Sequence, residues 1–405
     1  MALAAHSRQV APALGSSRVK AFAPVRVSRC RGAVVVRAEA QSNDALTRRA
    51  VLGAGLATAT SLMLPIGGSG SAQANQLLSP EWESVTLPVD KGVVLLDIGF
   101  TDDKHGFLLG TRETLLETFD GGKTWKPRSI DAARDEGFNY RFNSISFSGN
   151  GEGWIVGKPA ILLHTTDGGV NWERIPLSSK LPGAPVRITG LPGKPGQAEM
   201  ITDQGAIYVT DNTAYTWTAA VQETVDATLN RTVSSGISGA SYYEGSFSNL
   251  ARSASGDYVA VSSRGNFYMT WTPGQTYWLP HNRPAPRRLQ NMGFTPSGEV
   301  WVTTRGGDVL LSNQPGLSAE DFESVAINSR GFGILDVGFR DEKVAYACGG
   351  SGSLYRSEDG GKSWKRDRST DDVAGNLYAI KFFNPQLGFV LGNDGILLRY
   401  TGVSA

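Results

Sequence analysis

Short apolar stretches alternate with polar turns along most of the chain, and their order repeats. One full repeat runs from the strand-like residues 96–100 through 106–110 and 114–118 to an Asp-Gly-Gly turn followed by Trp125. Short apolar runs bounded by Gly, Asp and Asn are typical of β-strands. The pattern therefore predicts a unit of three strands, a tight hairpin and a fourth strand that begins at the tryptophan.

The hairpin sequence recurs at intervals that indicate the architecture. Residues 118–125 (Thr-Phe-Asp-Gly-Gly-Lys-Thr-Trp) are matched at 165–172 and 357–364, with a decayed copy at 210–217. From Trp125 to Trp364 the repeated aromatic position is spaced by 47, 45, 61, 44 and 42 residues. A period in the forties with four short strands per unit is typical of a β-propeller. The fold class predicted is all-β, a seven-bladed propeller of four antiparallel strands per blade.

The two ends of the repeating region complement each other. The last repeat, residues 376–402, has three strands and stops without an Asp-Gly-Gly turn or a tryptophan. The missing strand is present near the start, where residues 82–88 resemble residues 172–177. We therefore expect the strand at 82–88 to complete the last blade and close the ring, which would leave no open sheet edge.

The repeated hairpin is an Asp box, and its residue types suit a structural turn. An Asp side chain accepts hydrogen bonds from turn N–H groups, paired glycines supply left-handed backbone, and the Trp can pack between blades. We therefore interpret Asp120, Asp167 and Asp359 as structural residues and not as catalytic ones.

The first 74 residues have a different composition from the rest. They carry nine Lys and Arg against two acids, a net charge of +7, whereas the remainder has 30 basic and 36 acidic residues, a net charge of −6. An Arg-rich, acid-free start is typical of an organelle transit peptide. Arg48-Arg49 then precedes the uncharged stretch 50–65, as in a twin-arginine export signal.

These features predict three segments. Residues 1–40 are expected to be a chloroplast transit peptide, 41–74 a twin-arginine thylakoid signal, and 75–405 the propeller. The alternative is that residues 50–66 anchor the chain in a membrane, but the stretch is short and rich in Gly and Ala for a span. The combination indicates the thylakoid lumen of a chloroplast as the destination.

Motifs that carry chemistry are absent from the propeller sequence. The histidines at 105, 164 and 281 lack metal-ligand spacing, and no Walker loop or nucleophile elbow occurs. No cofactor is expected, and we predict that the protein is not an enzyme. The alternative is a sialidase-like hydrolase, because Asp boxes and the Arg-Ile-Pro at 174–176 also occur in sialidases. That tripeptide follows the second Asp box, which would put it on an outer strand.

Basic residues collect on the face opposite the Asp boxes. The turns between second and third strands share this face with the blade-to-blade connections, and they are rich in arginine and lysine. An insert at about 222–245 is expected on the same side. Arg suits the docking of acidic or carboxylate-bearing partners, although a merely solvated set of turns remains the alternative. The candidate partner-binding residues are Arg112, Lys158, Arg231, Arg264, Arg283, Arg287, Arg288 and Arg305.

The address, the Asp boxes, residues 153–169 and the Asn-Asp-Gly-Ile-Leu at 393–397 together resemble the photosystem II stability/assembly factor family. The resemblance covers residues 76–405. It implies a seven-bladed lumenal propeller that binds newly made D1 and its precursor and promotes reaction-centre assembly with D2 and cytochrome b559. It also implies an arginine-rich patch, for which the basic residues above are candidates.

The remaining expectations concern the state of the protein. No lipobox cysteine precedes residue 75, so we expect a soluble monomer, peripheral to the thylakoid membrane, unlike the lipoprotein form of cyanobacteria. A net charge of −6 and a lumenal address argue against nucleic acid as a partner. A role in pigment handling is a third hypothesis.

Overall fold

Seven antiparallel sheets form the part of the chain that the computed structural model describes, namely residues 75–134, 139–221, 247–317, 321–329, 331 and 333–402. The first strands of all seven sheets line one common cavity, so the sheets are the blades of a propeller around a central channel. The predicted fold class is therefore confirmed. Within these ranges no helix is long and apolar enough to cross a membrane.

The strands of the first three blades follow one another along the chain. Two strands precede them, β1 (Gln76–Leu77) and β2 (Trp82–Val85). Blade 1 contains β3 (Leu95–Phe100), β4 (Gly106–Gly110), β5 (Leu115–Thr118) and β6 (Lys126–Pro127). Blade 2 contains β7 (Arg141–Gly149), β8 (Glu152–Lys158), β9 (Ile161–Thr165) and β10 (Glu173–Arg174). Blade 3 contains β11 (Pro185–Gly190), β12 (Ala198–Thr202), β13 (Ile207–Thr210) and β14 (Thr218–Ala219).

The other four blades repeat this order. Blade 4 contains β15 (Phe247–Arg252), β16 (Tyr258–Ser262), β17 (Phe267–Trp271) and β18 (Leu279–Asn282). Blade 5 contains β19 (Leu289–Phe294), β20 (Glu299–Thr304), β21 (Val309–Pro315) and β22 (Phe322–Val325). Blade 6 contains β23 (Ile334–Phe339), β24 (Ala345–Gly349), β25 (Leu354–Ser357) and β26 (Lys365–Asp367). Blade 7 contains β27 (Leu377–Asn384), β28 (Leu387–Gly392) and β29 (Leu397–Tyr400). Short 3-10 helices span Asp131–Ala133 and Arg368–Thr370.

Strand β2 closes the ring, as the repeat pattern predicts. Strand β2 pairs antiparallel with β29, with Trp82 opposite Tyr400 and Val85 opposite Leu397. The strand ends at Val85, short of the predicted residue 88. Strand β1 then pairs with β2 and makes blade 7 five-stranded, a feature that the repeat does not contain.

Trp82 anchors this closure in an aromatic cluster. Its side chain is fully buried, and its ring meets those of Tyr346, Phe382 and Tyr400 at centroid distances of 5.2, 6.2 and 5.3 Å. Tyr346 belongs to blade 6 and the other two to blade 7. Strand β2 therefore stabilises both blade 7 and the contact of blade 7 with blade 6.

The Asp boxes are turns held by their own side chains. In the first box Asp120 accepts hydrogen bonds from the backbone N–H and the hydroxyl of Thr124, at 2.9 and 2.6 Å, while Thr118 accepts one from the Gly122 N–H. Equivalent bonds occur around Asp167 and Asp359. The backbone N–H of Asn171, foremost among these donors, lowers the pKa of Asp167. All three carboxylates serve the turn, as the sequence predicts.

The box tryptophans pack against neighbouring blades. Trp125 lies edge-on to Phe389 of blade 7, and Trp172 lies edge-on to Phe107 of blade 1. Gly122 has a φ of +80°, in the left-handed region, and a Cβ there would stand 2.5 Å from the Phe389 ring. This glycine therefore permits both the turn and the close approach of the blades.

Each first strand carries a β-bulge at the same place. In all seven blades one residue of the first strand is skipped in the pairing with the second, as at Leu96 between Leu95 and Asp97. Bulges re-aim the side chains that follow them. The residues directly after the bulge are Asp97, Ser144, Arg187, Asn249, Asn291, Asp336 and Ala379.

Polar side chains of this ring join one blade to the next. The Asp97 carboxylate accepts a hydrogen bond from the Ser144 hydroxyl of blade 2 at 3.0 Å. It also forms an ion pair with Lys381 of blade 7 at 3.0 Å. The Asn291 amide of blade 5 donates to Asp336 of blade 6 at 2.9 Å. Such satisfied networks rigidify a structure, so the ring holds the inner strands in register.

Replacing Trp82 with Ala should destabilise the ring strongly. Removal of a fully buried tryptophan typically costs about 3–5 kcal/mol of the free energy of unfolding. Here it also removes the central ring of the aromatic cluster that holds β2. Trp82→Phe should cost much less because an aromatic ring remains. Urea unfolding measures both, with Tyr215→Ala as the control because Tyr215 is 88% exposed. Equal stability of the Trp82→Ala and control variants would contradict the closure.

Asp336 should make stability fall as pH rises. Burial raises its pKa to about 7 from 3.8, so the folded state favours the protonated form and its stabilising effect is lost as pH rises toward 7. Asp336→Asn should remove on the order of 2–3 kcal/mol of the pH dependence between pH 5 and pH 8.

Asp97 is the matched control for that measurement. Burial opposes its ionisation, but the Lys381 ammonium and the Arg187 guanidinium prevail and lower its pKa. Asp97→Asn should therefore destabilise the protein at both pH values. Denaturant midpoints for the two variants at pH 5 and pH 8 test the contrast. The same pH slope in Asp336→Asn and wild-type protein would show that Asp336 is not its source.

Candidate docking face

One face of the ring is built from the turns between second and third strands together with the connections between blades. Because every blade runs in the same sense, these segments emerge on the same side, and the Asp boxes emerge on the other. Backbone hydrogen bonds join turn to connection, as where Thr111 N–H donates to Val94 and Asn393 N–H donates to Asn376. We refer to this side as the basic face.

Four of the predicted residues come together where blades 4 and 5 meet. The connection between these blades, residues 283–288, lies between the blade 4 turn and the blade 5 turn. Its end is held on one side by Leu289 N–H donating to Gly265 at 2.8 Å, and on the other by Arg305 N–H donating to Arg288 at 2.8 Å. We define the arginine cluster as Arg264, Arg287, Arg288 and Arg305, with Arg283 on the same connection.

The cluster is exposed and strongly positive. Arg287, Arg288 and Arg305 are exposed, and Arg264 and Arg283 are half-buried. Arg287 donates to the carbonyl of Gly306 at 3.1 Å, and its nearest carboxylate, Asp308, is 4.0 Å away. The turns and the connection thus hold five arginines against one aspartate. An exposed pair of this kind contributes little to stability, so the Arg287 guanidinium can exchange it for contacts with a partner.

Two predicted residues lie away from the cluster. Arg112 is in the turn of blade 1, where it donates to the Lys91 carbonyl at 3.0 Å, and the carboxylate of Asp394 caps the adjacent Gly92 N–H. Lys158 ends β8 of blade 2 and is paired across the sheet with Arg141. Both residues lie on the basic face as predicted, but at blades 1 and 2. Arg231 and the insert lie outside the described residues.

The arginine of the sialidase-like tripeptide is far from the channel in the strand order. Arg174 is on β10, the outermost strand of blade 2, where it stacks over the Tyr140 ring with its guanidinium carbon 5.4 Å from the centroid. It also donates to the Tyr140 hydroxyl at 2.9 Å. The position of Arg174 on an outer strand agrees with the placement expected from the sequence. Its contacts with Tyr140 give it a structural role at the edge of the blade.

Three charged side chains that the sequence analysis does not single out lie inside the channel. The charged members of the ring, Asp97, Arg187 and Asp336, interrupt otherwise apolar first strands at the same position of each repeat. Aligning the repeats at that position would have found them. Among the described residues, no group of three or more His, Cys, Asp or Glu could hold a metal ion.

The comparison with known proteins can now be made. The family model of the photosystem II assembly factor YCF48 matches residues 74–401. The photosystem II stability/assembly factor HCF136 of Arabidopsis thaliana is 60% identical over 335 residues, which is 82% of each chain. The chain belongs to the YCF48 family.

Solved structures of YCF48 proteins have the same fold. The structure of YCF48 from Cyanidioschyzon merolae is 48% identical, with a TM-score of 0.71, and the match covers 80% of this chain and all of that one. A structure titled YCF48 bound to D1 peptide is 45% identical, with a TM-score of 0.69, and the match covers 81% and 99% of the two chains.

Proposed function

We propose that this protein is a non-enzymatic assembly factor that binds newly synthesised D1 and its precursor through the arginine cluster. The observation that carries the proposal is the D1 peptide bound to a YCF48 protein 45% identical to this chain. The HCF136 relatives, which are named as photosystem II stability/assembly factors, support the same role. Association with the D2 and cytochrome b559 assembly intermediates belongs to this proposal.

The geometry of the cluster suits the recognition of carboxylates or backbone carbonyls in an extended segment. Guanidinium groups make bidentate hydrogen bonds to carboxylates and also stack on aromatic rings. The backbone hydrogen bonds at Gly265 and Arg305 fix the turns from which these side chains project. A preformed frame lowers the ordering cost of binding. Only the arginine side chains then need to be ordered by the partner.

We also propose that the protein works in the thylakoid lumen as a soluble monomer. Chloroplastic relatives such as HCF136 of Arabidopsis thaliana support the organelle, and the family match that begins at residue 74 supports a mature start near residue 75. The twin arginine at 48 and 49 supplies the signal for the second translocation. Residues 1–40 and 41–74 are then removed in turn.

The docking proposal predicts loss of D1 when the cluster is reversed in charge. The full chain, tagged at its C terminus, is expressed in chloroplasts as wild type and as Arg264→Glu/Arg287→Glu/Arg305→Glu. Wild type should copurify D1, its precursor and D2, and the triple variant should lose them by at least tenfold, about 1.4 kcal/mol. Arg287 and Arg305 are exposed and Arg264 is half-buried, so the free energy of unfolding should stay within about 1 kcal/mol of wild type.

The matched control reverses three charges on the opposite face, as Lys104→Glu/Lys123→Glu/Lys362→Glu. This variant carries the same change in net charge and should retain D1. Equal recovery of D1 by both triple variants would contradict docking at the cluster. Failure of the wild-type protein to recover D1 would contradict the D1 partnership itself.

The address predicts a block at the second membrane. Arg48→Lys/Arg49→Lys removes the twin-arginine signal while keeping both charges, so import into the stroma should proceed and arrival in the lumen should fall at least tenfold. Protease protection of fractionated thylakoids measures this, and Arg8→Lys/Arg18→Lys in the transit segment is the control. Normal lumenal arrival of the twin-lysine variant would exclude the proposed route.

A further inference from the structure

The central channel contains a cavity that the proposed docking role does not use. Its volume is about 650 Å³, within the range of small-molecule sites. It extends from the ring of residues after the bulges to the turns that follow β15 and β19, on the side of the Asp boxes. Its exposed wall is more polar than apolar, and the apolar side chains among the polar groups include Ile98, Leu250, Met292, Phe294, Phe339 and Phe382.

The ring end of this cavity holds a guanidinium without a direct partner. Arg187 lines the cavity from β11, and its guanidinium makes no hydrogen bond or ion pair with any residue in the described ranges. By contrast, the other cations of the cavity are matched. Lys381 pairs with Asp97 at 3.0 Å, and Arg252 pairs with Glu199 at 2.7 Å. Arg187 is thus the cation left over when these pairs are counted.

Two carboxylates face Arg187 at longer range, and they differ in how they are compensated. Asp97 accepts the Lys381 ammonium, the Ser144 hydroxyl and the Ile145 N–H. Asp336 has no cation in hydrogen-bond contact among the described residues. Arg187 therefore faces one neutralised carboxylate and one that changes the charge balance of the cavity according to its protonation.

The donors to Asp336 come from the strands on either side of it. The side-chain amide of Asn291 on β19 donates at 2.9 Å, and the backbone N–H of Ile380 on β27 donates at 2.8 Å. These two hydrogen bonds hold the carboxyl group in place whether it is protonated or ionised. They supply no full positive charge, so the charge balance of the cavity rests on Arg187.

We propose that this cavity binds a small organic carboxylate, with Arg187 holding the carboxylate and the nearby apolar side chains, such as Met292 and Phe294, contacting the body of the ligand. A guanidinium presents two parallel N–H groups that match a carboxylate. Polar groups placed in a concave site fix the orientation of a ligand and give specificity. The proposal concerns the channel and is independent of D1 docking at the arginine cluster.

Binding at this position is linked to a proton on Asp336. A ligand carboxylate at Arg187 lies near the Asp336 carboxyl group, so an ionised Asp336 repels it and a protonated one does not. The other titratable groups that face Asp336 are Cys348, paired with it across β23 and β24, and Arg187. Burial raises the pKa of the Cys348 thiol, which stays neutral. Of Asp336 and Cys348, Asp336 therefore supplies the change of charge as the pH rises from 6 to 8.

The test is a titration of the purified protein with benzoate, which is ionised at both pH values, followed by calorimetry or ligand-detected NMR. Wild-type protein should bind benzoate with a Kd on the order of 1 mM or below at pH 6, and several-fold more weakly at pH 8. Arg187→Gln should weaken binding at least tenfold, and Arg187→Lys should fall between the two. Arg287→Gln, which removes an exposed arginine of the cluster, should leave binding unchanged.

Asp336→Asn gives a readout that damage to the fold cannot imitate. It keeps the shape of the side chain and removes the charge, so it should bind benzoate at pH 8 at least threefold more tightly than wild type does and should show no pH dependence. Absence of binding to the wild-type protein, equal binding by Arg187→Gln, or weaker binding by Asp336→Asn at pH 8 would each overturn the proposal. None of these outcomes bears on D1 recovery.

Discussion

The pairing of β2 with β29 is the constraint on which the rest of the molecule depends. It joins residue 82 to residue 400 through an antiparallel ladder and buries Trp82 between blades 6 and 7. Without this ladder blade 7 would end in an open strand edge, and open edges recruit other chains. With it, every blade is held from both sides, and the inner strands face a common channel.

A repeated unit yields two faces that are built differently. The Asp-box carboxylates are satisfied by hydrogen bonds within each hairpin, and Arg399 of blade 7 also donates to the Gly121 carbonyl of the first box at 2.7 Å. On the basic face, the backbone of the connection into blade 5 is joined to the blade 4 turn, where Leu289 N–H donates to Gly265, and to the blade 5 turn, where Arg305 N–H donates to Arg288. Side chains far apart in sequence, such as Arg264 and Arg305, are thereby presented together on a rigid frame.

The sequence predicts the repeat-dependent features well because the repeat itself carries them. The blade number, the closing strand and the structural Asp120 follow from spacing and turn chemistry, and the structure agrees with each. The repeat also puts Arg112 and Arg305 at equivalent turns. The order of the repeats also puts the connection at 283–288 between blades 4 and 5, but it does not show the backbone hydrogen bonds at Gly265 and Arg288 that hold this connection against both turns.

Features that break the repeat escape prediction for a physical reason. The additional strand β1 depends on pairing with β2, and no other blade offers that edge. Likewise, whether the charges of Arg187 and Asp336 are paired depends on which side chains meet across the channel. The bulge re-aims one residue of each blade toward the channel. A one-dimensional pattern marks such positions as polar but does not say which charges remain unpaired.

The central functional claim is that D1 docks on the basic face, and site-specific photo-cross-linking in thylakoids tests it most directly. A photoreactive amino acid is introduced at position 288 in the arginine cluster and, separately, at position 170 in an Asp box. Both side chains are exposed, and the two positions lie on opposite faces. The account predicts a cross-link to D1 from position 288 and none from position 170. A D1 cross-link formed from position 170 and absent at position 288 would contradict it.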